Sequence, residues 1–123
     1  MSLWRVHFFP PDPRRVGAEP DYRFTLANER TFLAWVRTAL ALSAGGLAVI
    51  SLLPDLVGSE VLGLLLLVLS FVTAATAYRR WADNERAMRL GEALPPSKLP
   101  QFMAAGTGLV AIVAAILFVI EQR

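Results

Sequence analysis

The sequence predicts an all-α membrane protein with three transmembrane helices, its amino terminus cytoplasmic and its carboxyl terminus outside. Three observations carry that prediction. Hydrophobic residues make up 55% of the 123-residue chain and charged residues only 18%, against about 45–50% and about 25% in soluble domains. The charges are unevenly placed: Thr38–Leu53, Val61–Tyr78 and Gln101–Ile120 contain none. Finally, the basic residues alternate between successive flanks of these stretches.

A bilayer core of roughly 30 Å takes about 20 apolar residues to cross at ~1.5 Å each. The second and third charge-free stretches meet this length, and the first meets it by starting a turn or two earlier. The predicted spans are therefore about 32–53, 61–78 and 102–120. A soluble helical bundle would carry polar residues at every third or fourth position, and these stretches do not.

The alternation sets the orientation. Residues 1–30 hold five basic side chains, the turn Pro54–Glu60 none, the segment Arg79–Pro100 five, and the tail after the third span one. Lys and Arg accumulate on the cytoplasmic side of short loops, so the amino terminus and the 79–100 segment face the cytoplasm. With Arg37 included, the inner side carries a net +4 and the outer side −2. A sequence pI near 9.7 is thus explained by topology, and no nucleic-acid partner is expected.

Each element has a local cause. Residues 1–20 form a leader in which PPDP and Pro20 oppose a regular helix. Trp4, Val6 and Phe8 alternate with Arg5 and His7, so an extended piece and an irregular leader both fit. The first apolar span follows too late for a cleavable signal and is expected to act as a retained anchor. Residues 21–123 form the membrane domain. From Asp21 no proline occurs until Pro54, which predicts one long first helix. Pro54–Ser59 then predicts a tight outer hairpin, and a second helix runs from near Ser59 to Leu90. Tyr78 and Trp81 mark headgroup level, Glu85 and Arg89 form a favourable i,i+4 pair beyond them, and Gly91 supplies a stop. GEALPPSKLP is a proline-stiffened return to the third span.

Arg37 is the unusual residue. The inner edge of the hydrocarbon falls near Ala34, so Arg37 lies roughly one turn inside it. An arginine at mid-span costs about 2.5–3.5 kcal/mol on insertion scales, and less near an end where it reaches headgroups. One reading is that Arg37 simply snorkels to lipid phosphate. At about 100° per residue, however, Arg30, Ala34, Arg37, Ala41, Ala44, Gly45 and Ala48 share one line, while Phe32, Trp35, Val36, Leu40, Leu42, Leu47 and Ile50 lie elsewhere. Small residues let membrane helices approach closely and large aliphatics suit lipid, which places Arg37 on the protein-facing side. Ser70, Thr73, Ala77 and Arg80 make a similar stripe on the second span, and Ala104, Gly108, Ala111 and Ala115 one on the third. The expectation is an oligomeric bundle with an inner vestibule ringed by guanidinium groups. Such rings suit oxyanions, phosphate above all. Glu29, Asp83 and Glu85 are the carboxylates placed to form a supporting charge network.

LANERTFLAWVRTALAL at 26–42 resembles the signature of the small membrane family catalogued as domain of unknown function 202. YRRWADNERAMRLGEALPPSKLP at 78–100 resembles that family's second cytoplasmic segment, and the likeness covers roughly residues 20–120. The family in turn resembles the membrane module of the vacuolar transporter chaperone, which works in polyphosphate synthesis and translocation. The resemblance implies a bacterial inner-membrane, multi-pass protein and a homo-oligomer, a pentamer being one assembly it allows. It implies Glu29, Arg30 and Arg37 as charges at a pore mouth, and Arg79 and Arg80 as the basic end of the second span. The spans leave no room for an appended polymerase, so synthesis by this chain alone is not expected.

The expected anion-binding residues are Arg30, Arg37, Arg79, Arg80 and Lys98. Membrane lipid is a partner, and phosphate or polyphosphate the expected ligand class. The competing expectation is a structural or regulatory protein that scaffolds a partner or binds anionic lipid. A proton-coupled exporter is disfavoured because no carboxylate lies within a span. No nucleophile–base pair points to an enzyme, no catalytic residue is assigned, and neither a cofactor nor a metal site is expected. His7 lacks a companion at metal-ligand spacing, and there is no cysteine.

Overall fold

The long proline-free run beginning after Asp21 forms a single helix, α1, over Tyr22–Leu52. Asp21 caps it, its Oδ1 accepting the Arg23 N–H at 2.9 Å. In this computed structural model, which describes residues 12–15 and 17–123, two further helices follow: α2 over Ser59–Leu90 and α3 over Leu99–Glu121. All three are long and apolar enough to cross a membrane. At ~1.5 Å per residue, the 31 residues of α1 and 32 of α2 extend about 46 and 48 Å. Both therefore outreach a hydrocarbon core of about 30 Å, and the surplus of α2 is its charged end from Arg79 onward.

Helix ends follow from backbone chemistry. α1 stops before Pro54, which cannot donate to the preceding turn. α2 stops at Gly91, whose φ of 68° a side chain rarely tolerates. There the Glu92 N–H bonds the Ala87 carbonyl at 2.9 Å, satisfying an orphaned helix-end acceptor. Ahead of α1, Pro13–Arg15 makes one 3-10 turn. The sequence expectations for residues 1–11, including the Trp4–Phe8 alternation and His7, lie outside the described residues.

The helices are not arranged as a closed three-way bundle. α2 is central and packs on both α1 and α3, while α1 and α3 make no mutual contact among the described residues. The α1–α2 seam has three rungs. At the end nearer the α1–α2 turn, Gly46 and Gly63 bring the backbones together: a Cβ on Gly46 would stand 2.8 Å from the Gly63 carbonyl oxygen. In the middle, Ser70 donates to the Ala39 carbonyl at 2.6 Å. Ser70 has one hydroxyl proton, so Ser43 must be the donor in the 2.5 Å Ser43–Ser70 bond. At the end nearer the α2–α3 connector, Asn28 Nδ2 donates to the Trp81 carbonyl at 3.0 Å. The α2–α3 seam is lighter. Thr73, 1% exposed, lies 2.9 Å from Met103 Sδ, and Gly106 is seated against Leu69.

Within one chain these seams use only one of the three expected small-residue stripes. The α2 stripe does face protein, with Ser70, Thr73 and Ala77 all buried. On α1, however, Arg30, Ala34, Arg37, Ala41 and Ala44 are exposed. The side that meets α2 carries Asn28, Ala39 and Gly46, with Phe32, Trp35 and Leu42 half-buried around them. The α3 stripe of Ala104, Gly108, Ala111 and Ala115 is likewise exposed. α1 carries small residues on two sides, and only one can face its own α2. Small-residue patterning marks sides capable of close approach without saying which is used inside the chain.

Candidate functional site

The charged end of α2 emerges where the chain turns back through Pro95 and Pro96 into α3. Leu99, fully buried, pins the start of α3 there, and its N–H bonds Ser97 Oγ at 3.2 Å. Between the two helices lies a cleft of about 250 Å³. Arg79, Arg80 and Lys98 line it, together with Asp83 and the polar side chains of Thr76, Asn84 and Ser97. Phe102, half-exposed, stands at its edge.

Three cations face one carboxylate in this cleft. Arg79 Nε approaches Asp83 Oδ2 at 4.0 Å, one helical turn away, so that pair is largely self-neutralising. Arg80 and Lys98 make no ion pair among the described residues. The first turn of α3 adds the positive end of its dipole. Chemically, the arrangement offers an oxyanion two cations, the hydroxyl donors of Thr76 and Ser97 and the Asn84 amide.

The remaining predicted residues lie elsewhere. Glu85 projects from the opposite side of α2, is 2% exposed, and pairs with Arg89, Nε to Oε1, at 3.4 Å. Among the described residues its Oε2 has no hydrogen-bond partner, an uncommon state for a buried carboxylate oxygen. Arg89 also donates through Nη1 to the Arg14 carbonyl at 3.1 Å, and the Ala18 N–H bonds the Arg89 carbonyl at 3.1 Å. Arg14 and Ala18 are thereby clasped to the end of α2. Gly17 makes this approach feasible, since its φ of 62° favours glycine and a Cβ there would collide with the Arg89 carbonyl. Arg14 is held by Asp12 through two 3.0 Å bonds, which raise its pKa above the ordinary arginine value.

Glu29 is exposed and unpaired among the described residues. Arg30 and Arg37 are exposed on the uncovered side of α1 and line none of the hollows described. One chain therefore brings together Arg79, Arg80, Asp83 and Lys98, and does not bring Arg30 or Arg37 to them. The clasp through Arg14 was missed by sequence reasoning because its bond to Arg89 joins residues 75 apart. Only the Glu85–Arg89 spacing signalled one half of it. Among the described residues no group of three or more His, Asp or Glu is placed to hold a metal.

This is a membrane protein of three long apolar helices, with a basic cleft and a buried ion pair on opposite sides of one helix end. Its sequence matches the family described as "Domain of unknown function (DUF202)" over residues 23–87, and the chain belongs to that family. The match takes in α1 and nearly all of α2, including Arg79, Arg80 and Asp83, and ends before Lys98 and α3. The chain is 55% identical over 84 residues to Inner membrane protein YidH of Escherichia coli K12, covering 66% of this chain and 73% of that protein. YidH of Shigella flexneri gives the same values. An uncharacterized protein of Mycobacterium tuberculosis H37Rv, Rv2272, is 47% identical over 104 residues, covering 82% of this chain and 85% of that one. No solved structure matches.

Proposed function

We propose that the protein is a subunit of a homo-oligomeric assembly in the bacterial inner membrane that binds or conducts phosphate-like or polyphosphate-like anions at the cytoplasmic end of α2. The observation that carries this is the cleft in which Arg79, Arg80 and Lys98 converge while Arg80 and Lys98 lack carboxylate partners among the described residues. The inner-membrane location is supported by the name of the YidH relatives. The orientation, amino terminus inside and carboxyl terminus outside, rests on the alternation of basic residues. The likeness to the vacuolar transporter chaperone's membrane module supports the ligand class and the oligomer. No step in this reading is catalytic. Arg30 and Arg37 join the site only through contacts between copies.

The test is calorimetric titration of inorganic phosphate and short-chain polyphosphate into the full chain in maltoside micelles. Loss of one charge-assisted contact costs about 1.5–3 kcal/mol, so Arg80→Gln should weaken binding roughly 10- to 150-fold. Wild-type affinity should also fall with added salt. Equal binding by wild type, Arg80→Gln and Lys98→Gln would overturn the proposal.

A second reading is favoured by the exposure of Arg30 and Arg37: a structural protein whose arginines anchor it to anionic lipid. Anion flux in liposomes separates the two. A conducting assembly loses flux on Arg37→Ala, whereas an anchor protein shows none to lose.

A further inference from the structure

The side of α2 opposite the basic cleft has the reverse chemistry. Phe32 of α1 meets Tyr78 and Trp81 of α2, with ring centroids 6.4 Å (Phe32–Tyr78), 6.2 Å (Phe32–Trp81) and 5.9 Å (Tyr78–Trp81) apart. The ring planes are inclined at 73°, 49° and 35° in the same order, so the rings form angled walls, not a stack. With Leu33 and Glu29 they line a hollow of about 280 Å³. Glu29 and Trp81 are shared with an adjoining hollow of about 330 Å³, to which Tyr22, Glu19, Glu85, Arg14 and Arg89 also contribute.

The charge balance at this junction is negative. Arg14 is engaged by Asp12 and Arg89 by Glu85. Neither Glu19 nor Glu29 makes an ion pair among the described residues. Of the side chains lining the two hollows, the charges without an ion-pair partner among the described residues are therefore the carboxylates of Glu19 and Glu29. An aromatic wall with an unpaired carboxylate repels anions and attracts an organic cation, which gains from the ring faces and the carboxylate together.

The geometry points to a binding site for an alkylammonium group in the Phe32–Tyr78–Trp81 hollow, with Glu29 as its counter-ion. This inference is independent of the anion-binding proposal, since it uses the other side of α2 and no residue of the basic cleft. The ammonium comes either from an aminophospholipid headgroup or from a soluble amine. Tyr78 and Trp81 lie at the level expected for headgroups, so both sources reach it.

The test uses the full chain carrying Trp4→Phe and Trp35→Phe, which leaves Trp81 as the only indole. Tetramethylammonium chloride is titrated in maltoside micelles, with sodium chloride at matched ionic strength as the blank. The expected result is a saturable change in Trp81 emission absent from the blank, with Glu29→Gln weakening it at least tenfold. Phe32→Leu, which keeps the helix contact but removes one wall, should weaken it as well, and circular dichroism and gel filtration check that each variant is folded. A wild-type response no different from sodium chloride overturns the proposal. So does a tetramethylammonium response that folded Glu29→Gln and Phe32→Leu both retain at full strength. Nanodiscs then separate the sources. Phosphatidylethanolamine added to phosphatidylglycerol discs lowers the apparent tetramethylammonium affinity if the headgroup is the ligand, and leaves it unchanged if the ligand is soluble.

Discussion

Gly45 and Gly46 are neighbours on α1, and replacing each with alanine should move stability in opposite directions. A Cβ on Gly45 would have only Leu66 Cδ1 nearby, at 3.9 Å, an ordinary contact. Gly45→Ala therefore gains helix propensity without a clash, about 0.8–1 kcal/mol. A Cβ on Gly46 would stand 2.8 Å from the Gly63 carbonyl oxygen and 3.0 Å from Leu67 Cγ. The oxygen belongs to helix backbone and cannot rotate aside, so α1 and α2 must separate locally. Overpacking of this kind costs about 1–3 kcal/mol, which equals or exceeds the propensity gain. The two variants should thus differ by about 1–3 kcal/mol, with Gly46→Ala the weaker. Unfolding in mixed maltoside–dodecyl sulfate micelles measures the difference. A second readout uses the absence of cysteine: in a Ser43→Cys, Ser70→Cys background, oxidation reports the seam at the 2.5 Å contact. Disulfide formation should be slower with Gly46→Ala than with Gly45→Ala. Equal stability and equal oxidation rates would refute the close-crossing account of the seam.

Four further outcomes are expected. Glu85→Ala strands Arg89 in a buried position and should cost about 3 kcal/mol or more, read in the same micellar unfolding assay. Gly17→Ala should break the Ala18–Arg89 bond and quicken trypsin cleavage after Arg14, measured by mass spectrometry against wild type. Because the Asp12 contact raises the Arg14 pKa above its ordinary value, that guanidinium's stabilising charge is lost only above the arginine range. Wild-type protection should therefore be unchanged between about pH 7 and about pH 10, monitored with a protease active throughout. Finally, in intact cells Gln122→Cys should react with an impermeant maleimide and Ser97→Cys should not; the reverse pattern would invert the proposed orientation.

What the sequence made legible is what depends on nearest neighbours along the chain. Asp21, Pro54 and Gly91 act within a few residues, so the ends of α1 and α2 could be inferred from them. The helices themselves follow from charge-free length. The cleft was half-legible: Arg79, Arg80 and Asp83 share one helical turn, but Lys98 reaches them only because Pro95, Pro96 and buried Leu99 fold the connector back. The aromatic hollow was not legible, because Phe32 joins Tyr78 and Trp81 across the α1–α2 seam, and helical periodicity had assigned Phe32 to lipid. That misassignment and the exposure of Arg37 within one chain have one origin. Two sides of α1 carry small residues, and the choice between them depends on the shape of α2. Gly63 and Ser70 decide it: they fit Gly46, Ala39 and Ser43, and turn Phe32 inward while leaving Arg37 outward.

The outward position of Arg37 leaves a question of energy that one copy of the chain does not answer. At the depth the charge-free stretches predict, roughly one turn below the hydrocarbon edge, a guanidinium must reach phosphate headgroups or be met by polar groups of protein. Along its side of α1 the neighbouring exposed residues are Ala34, Ala41 and Ala44, whose small side chains contribute little shielding from lipid and little hindrance to a second helix. In a homo-oligomer built on this side, Ala41 approaches its equivalent in another copy, one turn from Arg37. Since the chain has no cysteine, Ala41→Cys introduces the sole thiol and any disulfide it forms is between copies. Oxidation in native membranes should give a covalent dimer, with Leu40→Cys, exposed on a different side, giving much less. The assembly would then set guanidinium groups from several copies around one axis, as the anion-conducting reading requires. Equal, weak cross-linking from both positions would place this side of α1 against lipid and leave Arg37 as an anchor, with anion binding confined to the cleft of each separate chain.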